Sequence, residues 1–162
     1  MKTTTIKKVL IALDYDPTAE KVAELGYLLA SSAGAEITIM HVISSRANYI
    51  SLEHVTVMGF AGHIEIEPIE DNDIGLKKIA HTFLEKVKLH LKDSKIKTFI
   101  TDGDTAEAIV KEGKDIHADI IVLGSHSKKW LENIIIGSVA EEVLNLSKIP
   151  LYIIPTKKIN NY

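Results

Sequence analysis

A chain of 162 residues is long enough to bury one hydrophobic core without a disulfide or metal to hold it. With 46% hydrophobic and 25% charged residues and a formal net charge of -3, it has the make-up of an ordinary globular protein. That balance lacks the cationic excess a nucleic-acid partner selects, and the absence of cysteine excludes disulfide frameworks, thiolate nucleophiles and cysteine-ligated zinc.

The basic segment Met1 to Lys8 leads into an apolar run that breaks at Asp14, with no small-residue cleavage site behind it. No apolar stretch approaches the roughly 20 residues that span a bilayer. The expected location is the cytoplasm, without membrane or nucleic acid among the partners.

Val9 to Leu13 reads as a first strand, almost wholly apolar, as a strand covered on both faces should be. Asp16 and Pro17 then suit a helix start, the one as a cap and the other at a position that needs no N–H. Val22, Leu25, Leu28 and Leu29 supply its apolar stripe until Gly34 stops it. Glu36 to Ile43 is the second strand. From Ser44 to about Asp73 the periodicity lapses, which is long for a connection inside a single domain. Leu76, Ile79, Phe83, Val87 and Leu91 mark a second helix, with Lys77, Lys78, Glu85, Lys88 and Lys92 on its polar face. Lys97 to Thr101 gives the third strand. Asp104 with Glu107 three residues on has the spacing of a capping box and opens a helix through Ile109, Val110 and Ile116. Asp119 to Gly124 is the fourth strand. Leu131, Ile134, Ile135, Val139, Val143 and Leu144 trace a last helix, and Pro150 to Pro155 a fifth strand whose prolines favour an edge position or strand ends.

Strands alternating with helices predict an α/β fold, a five-stranded parallel sheet with helices on both faces in one domain over 1–162, carrying a long insertion at about 44–73. Periodicity leaves two strand orders open, 3-2-1-4-5 and 2-1-3-4-5. Ligands of such sheets bind beyond the carboxyl ends of the strands. Two loops lie there: Asp14-Tyr15-Asp16 after the first strand, and Gly124 to Trp130 after the fourth, with Gly137-Ser138 beyond it.

No P-loop, no Gly-x-Gly-x-x-Gly and no Gly-x-Ser-x-Gly elbow occurs, and the seven histidines form no His-Glu-x-x-His pair. The chain is therefore expected to bind rather than to catalyse, with no resident metal ligand set. Trp130 reads more readily as a core or dimer anchor than as a base-stacking platform. Lys128 and Lys129 read as solvated cations that could attract an anion.

Gly124, Ser127, Gly137 and Ser138 are spaced as Gly, two residues, a second position, nine residues, then Gly-Ser. This resembles the motif of nucleotide-binding universal stress proteins, with Ser127 standing where those proteins usually have glycine. The resemblance extends to Val9–Asp14, Met40-His41-Val42, Asp102–Ile109 and Ile149–Pro155. It implies a Rossmann-like, adenine nucleotide α-hydrolase-like fold with strand order 3-2-1-4-5, and an ATP-binding stress-response protein acting as a homodimer. By the same resemblance Asp14 and Val42 would contact adenine. Gly124 and Ser127 would lie near ribose and phosphates, and Ser138 and Val139 would donate to phosphate oxygens. Ala12, Leu13, Leu123, His126 and Gly137 complete the expected site, with Mg²⁺ accompanying the nucleotide. The apolar strand 149–155 is the expected dimer edge, and an unidentified protein the expected downstream partner.

Two other readings compete. One is a nucleotide-free interaction module of the same family. The other is a phosphoacceptor receiver, since Asp14, Asp16 and Asp102 follow strands one and three. The receiver reading leaves the Gly124 to Ser138 spacing unexplained.

Overall fold

The strands and helices alternate without exception along the computed structural model of the protein, which describes residues 5–44, 73–125 and 136–156. They are β1 (Lys8–Ala12), α1 (Ala19–Ser32), β2 (Glu36–Ile43), α2 (Asp73–Leu91), β3 (Lys97–Asp102), α3 (Thr105–Asp115), β4 (Ile120–Gly124), α4 (Ser138–Leu146) and β5 (Leu151–Ile154). Each strand lies within one residue of its expected bounds. All four pairings are parallel and the order is β3-β2-β1-β4-β5, which resolves the choice that periodicity left open.

The two-residue period of the strands divides the core. Val9, Ile11, Ile37, Ile39 and Val122 point to the face covered by α1 and α2, where Val22, Ala23, Phe83, Leu84 and Val87 meet them. Leu10, Met40, Val42, Ile121 and Leu123 point to the face covered by α3 and α4, against Ala106, Ile109, Val110, Ala140 and Val143. Near-continuous apolar strands are thus consumed on both sides.

Helix α1 departs from its expected stripe. Its buried residues are Ala19, Val22, Ala23, Gly26 and Ala30, while Leu25 and Leu29 flank that face and Leu28 is 62% exposed. The reason is close approach: a Cβ on Gly26 would lie 2.9 Å from Ile11 Cδ1 and 3.2 Å from Val122 Cγ1. Leucine has no room on that face, so the small side chains take it and the leucines lie beside or away from it.

Helix α4 is corrected likewise. It begins at Ser138 behind an extended Gly137, burying Ala140 and Val143, whereas Val139 is 40% and Leu144 50% exposed. Leu131, Ile134 and Ile135 lie outside the described residues, as does almost all of the aperiodic stretch 44–73. Asp104 caps α3 as its spacing predicts, its Oδ1 accepting from Glu107 N at 2.9 Å.

The amino-terminal end of the sheet is tied shut by side chains. Asp119 Oδ2 accepts from Lys7 N (2.7 Å) and Lys8 N (2.9 Å), and Lys8 Nζ donates to Ile116 O (3.1 Å). Lys97 Nζ bonds Glu36 Oε2 at 2.9 Å. Among the described residues no helix is long and apolar enough to cross a membrane.

Candidate functional site

The carboxyl ends of β1 and β4 are neighbours, since Ile11 pairs with Val122 and both strands run the same way. From β1 the sheet continues to β2 and β3 on one side, and from β4 to β5 on the other. Chain connections leave in opposite senses here, α1 towards one face and α4 towards the other. In open parallel sheets, a divergence of this kind above the strand ends is where a ligand crevice is expected.

The β1 side of the crevice is Leu13-Asp14-Tyr15-Asp16. Leu13 is buried, its N–H donating to Met40 O at 2.9 Å. Asp14 is exposed, and its Oδ1 accepts from Asp16 N at 3.1 Å. Asp16 does not cap α1, which begins at Ala19 with Thr18 as its N-cap, nor is Pro17 its first residue; instead Asp16 Oδ1 accepts from Thr18 N (2.9 Å) and Thr18 Oγ1 (2.6 Å), a local turn that leads into the helix. Of the two aspartates, Asp16 faces inward to the helix start and Asp14 is the one open to solvent.

Behind this loop stands a group to which residue-by-residue sequence reading assigned no role. His41 is buried, with Nδ1 2.8 Å from Leu13 O. A carbonyl oxygen only accepts, so Nδ1 carries the proton. Burial pushes the imidazole below its usual range, against opposing pulls from the Leu13 carbonyl bond and Asp14. The neutral ring lies 4.2 Å from that of Tyr15 and 5.8 Å from Phe83, and Tyr15 meets Phe83 edge-on at 5.0 Å. This trio fixes the height of the Asp14 loop over the sheet. Its trace in the sequence is a histidine within the apolar run from Ile39 to Ile43.

On the β4 side, Leu123 is buried and Gly124 half-buried. A Cβ on Gly124 would lie 3.0 Å from Thr156 Cγ2 and 3.1 Å from Val22 Cγ2, so the backbone passes close to both side chains and a larger residue would have to displace them slightly. Ser125 joins this strand to β5, donating from N to Ile154 O (2.9 Å) and accepting at Oγ from Thr156 N (3.3 Å).

Helix α4 closes the arrangement. Gly137 is buried and extended (φ -70°, ψ 157°), and it supplies no side-chain cap. The first internal bond runs from Glu141 N to Gly137 O at 2.9 Å, so the N–H groups of Ser138, Val139 and Ala140 precede it. Ala140 belongs to the same buried cluster as Leu123, so α4 lies on the sheet face to which Leu123 points. Amide dipoles and N–H groups directed out of a helix start favour an anion.

The expected site residues therefore fall into three groups. Asp14, Gly124, Ser138 and Val139 are at least partly open. Ala12, Leu13, Val42, Leu123 and Gly137 are half-buried or buried; the side chains of Leu13, Val42 and Leu123 are spent in the core, so only their backbones could serve a ligand. Val42 O already accepts from Ser44 N at 3.0 Å. His126 and Ser127, with Lys128, Lys129 and Trp130, lie outside the described residues. Asp102 ends edge strand β3, separated from β1 by β2, so the receiver reading loses its pair of adjoining acidic strand ends.

Comparisons with known proteins agree with this architecture. The profile of the Universal stress protein family matches residues 5–155. Universal stress protein MJ0577 of Methanocaldococcus jannaschii is 32% identical over 156 residues, covering 93% of this chain and 96% of its own. The solved structure of MJ0577 superposes with a TM-score of 0.69 at 29% identity, over 93% of this chain and 96% of that one. A universal stress protein in complex with cAMP shares the fold at TM-score 0.64 and 15% identity, over 95% of this chain and all (100%) of that one. One from Archaeoglobus fulgidus in complex with dAMP does so at 0.58 and 18%, over 93% and 98%.

Proposed function

The chain belongs to the universal stress protein family, and from that premise we propose that it binds an adenine nucleotide, ATP in the first instance, in the crevice between the ends of β1 and β4. What supports this reading is the start of α4, which has no side-chain cap and lies on the sheet face to which Leu123 points, together with the exposed carboxylate of Asp14 after β1. Phosphates would meet the N–H groups of Ser138 and Val139, and Asp14 would accept from the exocyclic amine of adenine. Mg²⁺ would accompany the phosphates. Two relatives of the same fold are named as complexes with cAMP and dAMP, which favours the adenine class.

The protein would act by binding, since among the described residues no nucleophile stands beside an oriented base at the carboxyl ends of the strands. It would act as a cytoplasmic homodimer joined along β5. That strand is an edge, and Tyr152 on it is 40% exposed, with Val139, Leu144 and Leu146 of α4 also exposed. An apolar sheet edge of this kind favours a second copy as cover. Isothermal calorimetry with Mg²⁺–ATP tests the central reading. A saturable heat with one site per chain is expected, and neither heat nor thermal shift at millimolar ATP would overturn it.

A further inference from the structure

Away from the crevice, α1 and α2 bring together three side chains of metal-ligating type. Glu20 and Glu24, one turn apart on α1, face His90 in the last turn of α2. His90 Nε2 lies 2.8 Å from Glu24 Oε1 and 3.6 Å from Glu20 Oε1, and one ligand atom from each residue falls within 4.8 Å of the other two. We propose that Glu20, Glu24 and His90 form a binding site for a divalent transition metal of the zinc type, bridging α1 and α2.

Three observations carry the proposal. First, the spacing fits. Four-coordinate zinc with bonds of about 2.0–2.1 Å separates its ligand atoms by about 3.3 Å, between the two distances found here. Small side-chain rotations would bring both carboxylates into range without moving either helix.

Second, the charges are unbalanced. Among the described residues His90 is the sole ion-pair partner of Glu20 and Glu24, so two carboxylates share one imidazole. The lysine between them, Lys21, is engaged elsewhere, its Nζ donating to Pro155 O at 2.6 Å. A dication would neutralise the pair more fully than one imidazolium can.

Third, the site is open but held by ordered helices. The side chains of His90, Glu20 and Glu24 are 24%, 33% and 53% exposed, which admits an ion from solvent and leaves a fourth position for water. An imidazole among the ligands selects zinc, nickel, cobalt or copper over magnesium and calcium, which prefer oxygen alone.

The test uses the full chain without nucleotide. Zn²⁺ is titrated in competition with a chromophoric chelator, and Co²⁺ is added separately to read its visible absorption. The parent is expected to take up one tightly held ion per chain, with a Co²⁺ spectrum of four- or five-coordinate type. His90→Gln and Glu24→Gln should each weaken that binding at least tenfold, whereas His81→Gln, an exposed histidine on the same helix, should not. Unchanged affinity in Glu24→Gln, whose side chain is the most exposed of the three and whose fold is least at risk, would overturn the site. So would an equal loss in His81→Gln, which would mark dispersed surface binding.

Discussion

The two ends of the sheet use their polar groups in opposite ways. At the amino-terminal end Asp119 is spent on the amides of Lys7 and Lys8, Lys8 on the carbonyl of Ile116 and Lys97 on Glu36. At the carboxyl end α4 starts on a glycine with no side chain to satisfy its first amides, and Asp14, after β1, is exposed. Both ends belong to the same sheet, and the described residues at each differ in how their polar groups are used. The end that closes on itself stabilises, and the end left incomplete is where a ligand can supply the missing partners.

The largest effect expected from this contrast is at Gly137. Its φ of -70° suits any residue, so Gly137→Val strains no backbone, and its cost to stability comes from poorer capping and from packing a branched side chain at a buried position. Its branched side chain would stand where phosphate meets the amides of α4. ATP binding should weaken by roughly 100-fold, about 2.7 kcal/mol, while the thermal unfolding transition stays cooperative. Calorimetry on the folded variant checks this; parent-like affinity would remove the phosphate site from α4.

Asp119→Asn should do the reverse, lowering stability and leaving ATP affinity alone. The backbone bonds from Lys7 and then Lys8 hold the Asp119 carboxyl below its ordinary value of 3.8. The sign follows from linkage. The ionised form gains in the folded state, so its contribution is complete above that ordinary value and fades as pH falls through the lower folded one. Discounted for solvent exposure, it is worth about 1 kcal/mol. Urea unfolding of parent and variant should therefore differ by a constant amount from pH 7 to pH 5 and converge towards pH 3. A gap that persists in acid would point to a packing effect of the substitution.

The smallest effect concerns Ser127. Glycine there restores the spacing motif; by the family resemblance, a Cβ near the phosphates would cost about 1 kcal/mol, set against a hydroxyl bond of about 0.5–1.5 kcal/mol. Ser127→Gly should tighten ATP binding a few-fold. Weaker binding would instead make the hydroxyl a ligand and add it to the partners the carboxyl end offers.

Much of this was legible before any coordinates. Apolar runs bounded by turn residues gave every strand to within a residue, and the Asp104–Glu107 spacing gave the α3 cap, because these depend on local periodicity and short-range hydrogen bonds. The motif residues Gly124, Gly137 and Ser138 were visible as spacing alone. Helix faces were less legible: Leu28 looked buried because leucine usually is, yet α1 packs too closely for it, and that closeness is set by Ile11 and Val122, far away in sequence.

What the sequence determined by itself was the alternation of elements, the parallel class and the family pattern, all of which are written in contiguous residues. Periodicity left the place of β1 open and the family pattern implied it, between β2 and β4 as found; only the tertiary structure decided that His41 fastens the loop of Asp14 through Leu13 and that His90 meets Glu20 and Glu24. Each of these joins residues separated by a whole crossover. Periodicity within one segment carries no information about which distant segment completes its hydrogen bonds or balances its charge.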